Sequence, residues 1–317
     1  MRTLLPAALA AALLACGTGT SDLEERIPVQ PGGLLEVDLY MGEGLRPDKG
    51  SLEVTSHDAN EVRIVADASG WGASGVNFRV EHDSSTVRLY GRVTGALSWL
   101  FGGPQLAVRI WVPREFSLDL RTSAGPVRID DVSGRIRARA ADAPIEVSAA
   151  AGSLRLRTNR GDVRVSEVEG DVDVRASAGS LELSWITGDV AARTGRGEIS
   201  ADHVSGVLTL ASGNGGIEIR DVEGPVTAKT ESGGILASFA GAPAGELETS
   251  RGSVRVVVPA DAGADLEAIS RRGSVELAPE LLLEGTRNEA HVVGRLGPGG
   301  APLRLYTARG SVYLSRR

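Results

Sequence analysis

The chain has 317 residues, enough for one to three domains and a substantial core. Its 41 glycines, four each of Phe, Trp and Tyr, two Met and one Cys leave the interior to Ala, Val, Leu and Ile, which argues against an aromatic-lined ligand pocket. A formal charge of −7, from 34 basic and 41 acidic residues, gives no reason to expect nucleic acid as a partner.

The chain opens with Arg2 and an apolar run from Leu4 to Ala15, too short to span a bilayer and shaped like an export signal. That run ends in Leu13-Leu14-Ala15-Cys16, which resembles the lipobox of bacterial lipoproteins, and Cys16 is the only cysteine in the sequence. Residues 1–15 are therefore expected to be removed and Cys16 to carry lipid, which attaches the protein to a membrane without a transmembrane helix. Loss of Arg2 leaves the mature chain one charge more negative, with no thiol for a disulfide, a metal or a nucleophile. Residues 16–33 read as a polar tether. By Gram-negative sorting logic, Gly17 after the cysteine directs the protein to the outer membrane, facing the periplasm or the outside.

Residues 34–120 alternate apolar and polar positions (Leu35-Glu-Val-Asp-Leu39, Val62-Arg-Ile-Val65, Leu106-Ala-Val-Arg-Ile-Trp-Val112) and predict longer antiparallel strands that start and cap a repeat region. From Gly125 a nine-residue clock begins. Glycine stands at 125, 134, 152, 161, 170, 179, 188, 197, 206, 215, 224 and 233, with Ala143 at the one missing beat, and apolar residues come two and usually four positions later. The true period is 18, because alternate half-repeats carry an apolar residue seven positions after the glycine (Val132, Ala150, Val168, Ile186, Val204, Val222). The others instead carry Ser or Thr, often after a basic residue. Residues 121–317 thus predict an all-β fold, a flattened β-solenoid of two strands and two glycine corners per coil, stacked at about 4.8 Å. Calcium-binding nonapeptide solenoids need paired glycines and an Asp at fixed phase. Here the residue after each glycine varies among Asp, Ser, Pro, Glu, Arg and Val, so neither calcium nor any other cofactor is expected.

The clock slips after Ala240, yet Thr249-Ser-Arg-Gly-Ser-Val254, Ser270-Arg-Arg-Gly-Ser-Val275 and Thr307-Ala-Arg-Gly-Ser-Val312 show that coils continue, with residues 279–302 as an excursion. Val108-Arg-Ile-Trp-Val-Pro113, Leu118-Asp-Leu-Arg-Thr-Ser-Ala-Gly125, the repeats and Leu303-Arg-Leu-Tyr-Thr-Ala-Arg-Gly310 together resemble the bacterial putative-adhesin proteins of β-strand repeats, a domain of unknown function. The resemblance spans residues 34–317. It implies a β-solenoid at the cell envelope and carries no catalytic residues with it.

Period 18 stacks Arg128, Glu146, Arg164, Glu182, Ser200 and Glu218 in one column, whose alternating charges read as register control. A second column holds Arg139, Arg157, Arg175 and Arg193, then Ala211 and Lys229. With Arg135, Arg137 and Arg155 on the same face it makes a basic stripe on an acidic protein. Two readings stand: a solvated face, or a surface for the phosphate or carboxylate groups of an anionic envelope glycan, lipid or protein.

For an enzyme, the best cluster is Asp171, Asp173 and Asp189, since some solenoid polysaccharide hydrolases use grouped carboxylates. Such chemistry needs a cleft that separates their protonation states. His57, His82, His203 and His291 are scattered and read as surface or turn residues, and Leu97-Ser-Trp-Leu-Phe101 reads as a membrane contact or a plug for the solenoid end. The sequence favours a non-enzymatic, lipid-anchored envelope protein whose solenoid is an interaction or scaffolding surface. The alternative is an envelope polysaccharide hydrolase or lyase.

Overall fold

A computed structural model describes residues 22–40, 50–70, 73–93, 104–123 and 125–317. Cys16 and the Leu97–Phe101 segment lie outside them. Among the described residues, 29 strands form two sheets, a front sheet of 15 and a back sheet of 14, which face each other across a core of Val, Leu, Ile and Ala. The fold is the β-solenoid that the period predicts. The back strand Val163–Glu169 turns into the front strand Val172–Ala178, and the next coil repeats this with Leu181–Thr187 and Val190–Arg196. Pairing is parallel and offset by 18 residues, Val163 on Leu181 and Val172 on Val190. No helix among the described residues is long and apolar enough to cross a membrane.

The corners explain the clock. Gly179 and Gly197 have φ of +137° and +143°, a region that favours glycine, and a Cβ on either would strike the carbonyl oxygen of the glycine one coil earlier. Coil stacking and corner geometry thus demand the same residue.

The difference between half-repeats also has a physical cause. On front strands the inward positions fall two, four and six residues after the glycine. The last is a buried Thr or Ser at Thr158, Thr194, Ser212 and Thr230. On back strands the sixth residue takes a left-handed conformation: Asp131, Ala149, Glu167, Trp185, His203 and Asp221 have φ between 48° and 56°. This bulge shifts the alternation by one, so the seventh residue turns inward and is apolar.

Two expectations for the N-terminal part are corrected. Asp22–Pro28, expected as tether, is a strand paired antiparallel with Glu61–Gly70, in which Leu23 and Ile27 pack against the core and the strand covers an otherwise open edge. Residues 34–120 are only partly an antiparallel cap. Leu34–Tyr40 lies parallel between Thr86–Val93 and Ser117–Thr122, and Gly50–His57 lies parallel between Pro104–Pro113 and Val127–Asp130. The solenoid therefore begins before the clock does, with longer connections replacing glycine corners. The antiparallel cover is confined to Asp22–Pro28, Glu61–Gly70 and Val76–His82.

The other end shows the same exchange of order. Pro302–Thr307 sits between Gly245–Thr249 and Ala264–Ser270, and Val312–Arg316 sits between Val254–Val258 and Val275–Leu277. The expected excursion is a hairpin, Leu283–Arg287 with His291–Leu296, which covers the edge of the front sheet. At each end, then, the coil nearest the sequence terminus is the inner one of the final two.

Candidate anion-binding face

Outward positions of the front strands lie three and five residues after the corner glycine. The fifth position forms one continuous column: Arg121 on Arg139, Arg139 on Arg157, Arg157 on Arg175 and Arg175 on Arg193, then Ala211 and Lys229. Five arginines occupy five successive rungs. Arg121 is an addition to the stripe that the clock predicts, because its strand precedes the first clock glycine. Counting back 18 from Arg139 finds it.

The third position stacks Asp119, Arg137, Arg155 and Asp173. Asp173 lies between two guanidiniums, 3.5 Å from Arg155 and 3.1 Å from Arg175, and Asp119 lies 3.5 Å from Arg121. Among the described residues Arg137, Arg139, Arg157 and Arg193 have no such carboxylate partner, and Nε of Arg157 is buried without a hydrogen bond. The structure thus brings all six predicted residues, Arg137, Arg139, Arg155, Arg157, Arg175 and Arg193, onto one face. Lys229 closes the column differently: Glu248 and Glu246, 3.0 and 3.1 Å away, raise its pKa and neutralise it.

Beside the column lie two hollows with small residues in their linings. One, about 450 Å³, lies against Arg121, Arg139 and Arg157 with Ala140 and Ala141, and the other, about 550 Å³, lies against Arg175 and Arg193 with Gly195 and Gly213. The combination of a straight row of guanidiniums and a rung spacing of about 4.8 Å suits an extended polyanion better than a compact ligand.

A third hollow, about 430 Å³, contains the carboxylates on which an enzyme reading depends. They belong to the frame. Asp171 accepts the backbone N–H of Asp189, and Asp189 accepts that of Val207 one coil further on, so this column ties each corner to the next. Asp162 does the same for Ser180 at the opposite corner. Asp173 is held by its two arginines.

On the back face the alternating column pairs across rungs, Arg128 with Glu146 at 3.2 Å and with Glu53 at 3.7 Å, and Arg164 with Glu182 at 2.7 Å, as register control requires. The back face also assembles a cluster whose members are scattered in the sequence: Asp202, His203 and Asp221, with Trp185 stacked on the His203 ring. These residues come from the bulge column and its neighbour, where residue identity varies from coil to coil.

Among curated proteins none matches the chain. Two solved structures are similar to it in part. One is a putative cell adhesion protein from Clostridium sporogenes, 11% identical, covering 93% of this chain and all of its own, with a TM-score of 0.21. The other is a putative adhesin from Bacteroides fragilis, 12% identical, covering 93% of this chain and 97% of its own, with a TM-score of 0.33. The family model described as Toastrack DUF4097 matches residues 119–315, well over half of the sequence and nearly all of the glycine-clocked solenoid, and the chain belongs to that family.

Proposed function

We propose that this protein is a non-enzymatic cell-envelope interaction scaffold, adhesin-like in role, which binds an extended anionic envelope polymer along the arginine column of its front sheet. The observation that carries the reading is the run of Arg121, Arg139, Arg157, Arg175 and Arg193 on five successive rungs, with two hollows beside it. Stacked like charges oppose the register that the back face reinforces with alternating ones, and among the described residues Arg139, Arg157 and Arg193 have no carboxylate partner, so ion pairing does not account for the column as a whole. A ligand bearing phosphate or carboxylate groups would relieve that repulsion on binding. Attachment to the outer membrane through lipid on Cys16 belongs to the same proposal. Mass spectrometry of the native N-terminus should find an acylated cysteine, and a start elsewhere would remove the anchor from the reading.

The central experiment measures binding of the purified protein to lipopolysaccharide and to its dephosphorylated form. Reversing Arg157, Arg175 and Arg193 to Glu should abolish binding while the β-sheet circular dichroism is kept, and wild-type binding should weaken steeply as salt shortens the Debye length to about 8 Å. If a polysaccharide is cleaved instead, and Asp171→Asn with Asp173→Asn stops the cleavage while the arginine reversals do not, the scaffold reading fails and a hydrolase or lyase takes its place.

A further inference from the structure

We propose that Asp202, His203 and Asp221 form a binding site for one divalent transition-metal ion on the back sheet, independent of the arginine face. Asp202 and His203 lie in the strand Ile199–Ser205, and Asp221 lies in the next back strand, Ile217–Val222. His203 and Asp221 are both left-handed bulge residues, φ 52° and 48°, one 18-residue period apart, so the same backbone feature lifts both out of the sheet on adjacent rungs. A ligand atom from each of the three residues lies within 4.8 Å of the other two.

The spacing fits metal chemistry. Nδ1 of His203 is 2.9 Å from Oδ1 of Asp202. Two ligands each about 2.05 Å from a metal and subtending a right angle are separated by about 2.9 Å, so the two atoms already stand at a metal's ligand separation, and a turn of the imidazole aims its lone pair at an ion that replaces the proton they share. Asp221 then closes in as the third ligand, with water completing the shell. One imidazole nitrogen with two carboxylate oxygens suits nickel, copper or zinc, whereas calcium and magnesium take oxygen sets.

Two further observations point to a built site. Trp185, the bulge residue one coil earlier, is 58% exposed yet lies flat on His203, ring centroids 4.0 Å apart and planes 19° apart, which fixes the imidazole before any ion arrives. Asp221 already holds a cation: the guanidinium of Arg317 reaches back across the sheet to it and to Ser238, 2.7 Å away. With a neutral imidazole the three ligands carry two negative charges, and Arg317 offsets only one. A divalent ion that takes the place of Arg317 offsets both.

The test uses the full-length protein, stripped with chelator, and nickel or zinc chloride as the probe. Calorimetry should show one equivalent of Ni²⁺ bound with a micromolar dissociation constant, and Ni²⁺ should quench Trp185 emission in parallel. His203→Ala and Asp221→Asn should each weaken binding at least about tenfold. Trp185→Phe should abolish the quench but keep the stoichiometry, and Arg317→Ala should tighten binding by removing the competitor for Asp221. Failure of either ion to bind below about 1 mM overturns the proposal, as does one-to-one binding that survives both ligand substitutions. Because Arg317→Ala predicts a gain, a loss of affinity from misfolding in the other variants cannot imitate the full pattern.

Discussion

Thr194 donates its hydroxyl hydrogen to the carbonyl oxygen of Gly179 at 3.0 Å, from inside the core to the corner that opens its own coil. Ser212 makes the same bond to Gly197 at 3.0 Å and Thr230 to Gly215 at 2.9 Å, so the buried hydroxyls form a ladder under the corners. A corner glycine carbonyl turned inward is a buried acceptor, and a hydroxyl satisfies it without a water. Thr194→Val keeps the shape and removes the donor, and should cost about 1–2 kcal/mol in urea unfolding. An unchanged midpoint would mean that the ladder bonds contribute nothing net.

Gly215 and Gly216 are neighbours with opposite constraints. Gly215 has φ +152°, and a Cβ there would collide with the carbonyl of Gly197, whereas a Cβ on Gly216 would meet the carbonyl oxygen of Gly234 at an ordinary 3.5 Å. Gly215→Ala should therefore cost about 3 kcal/mol or more, and Gly216→Ala should stay within about 1 kcal/mol of wild type. Equal effects in thermal melts would mean that neither the corner conformation nor the stacking contact imposes the glycine requirement.

The arginine column predicts that binding and stability pull apart. Arg157 has like charges on both neighbouring rungs, Arg139 and Arg175, and a buried Nε with no partner. Arg157→Gln should raise stability by about 0.2–1 kcal/mol while weakening association with lipopolysaccharide. A destabilised variant would make the column a structural element and remove the main support for a binding role.

Acid should loosen the solenoid through specific carboxylates. The Ser56 hydroxyl, aided by the Arg114 guanidinium, holds the Asp131 carboxyl below its ordinary value of 3.8, and Arg160 does the same to Asp142. Between the depressed native value and the unfolded one, the unfolded chain binds more protons, so stability rises with pH there. The contribution is complete above about pH 5 and is lost as pH falls past the unfolded value and through the native one. Asp131→Asn, which tolerates the left-handed backbone, should be less stable than wild type at about pH 6, and the gap in melting temperature should close as the pH is lowered below about 4. A gap independent of pH would assign the effect to something other than ionisation.

Period and inward face were legible because each coil repeats the same local demand: glycine at 179 and 197, apolar residues at 172 and 190. The exchange of order at the ends was not, since Leu247 pairs with Leu305 and Leu35 with Val87 through contacts that leave no periodic trace in the chain. The basic stripe emerges from counting in eighteens, and Arg121 escapes only because no clock glycine precedes it. The bulge column shows as a shift of the inward residue from sixth to seventh place. Its own members, from Ala149 to Trp185, share a backbone conformation and no side-chain chemistry, so the meeting of Asp202, His203 and Asp221 is visible only in three dimensions.

The exchange of order interlocks the molecule. A simple solenoid can unzip from either end, one coil at a time, because each terminal coil has a single neighbour. Here Leu34–Tyr40 and Pro302–Thr307 each have strands on both sides, so neither can peel away without parting a rung that the rest of the sheet still holds. The same arrangement sets an order of assembly. Gly245–Thr249 and Ala264–Ser270 precede Pro302–Thr307 in the sequence, yet they are joined only through it. The far end of the stack can close only once its final strands have been made, with a long loop to order before those contacts stabilise it.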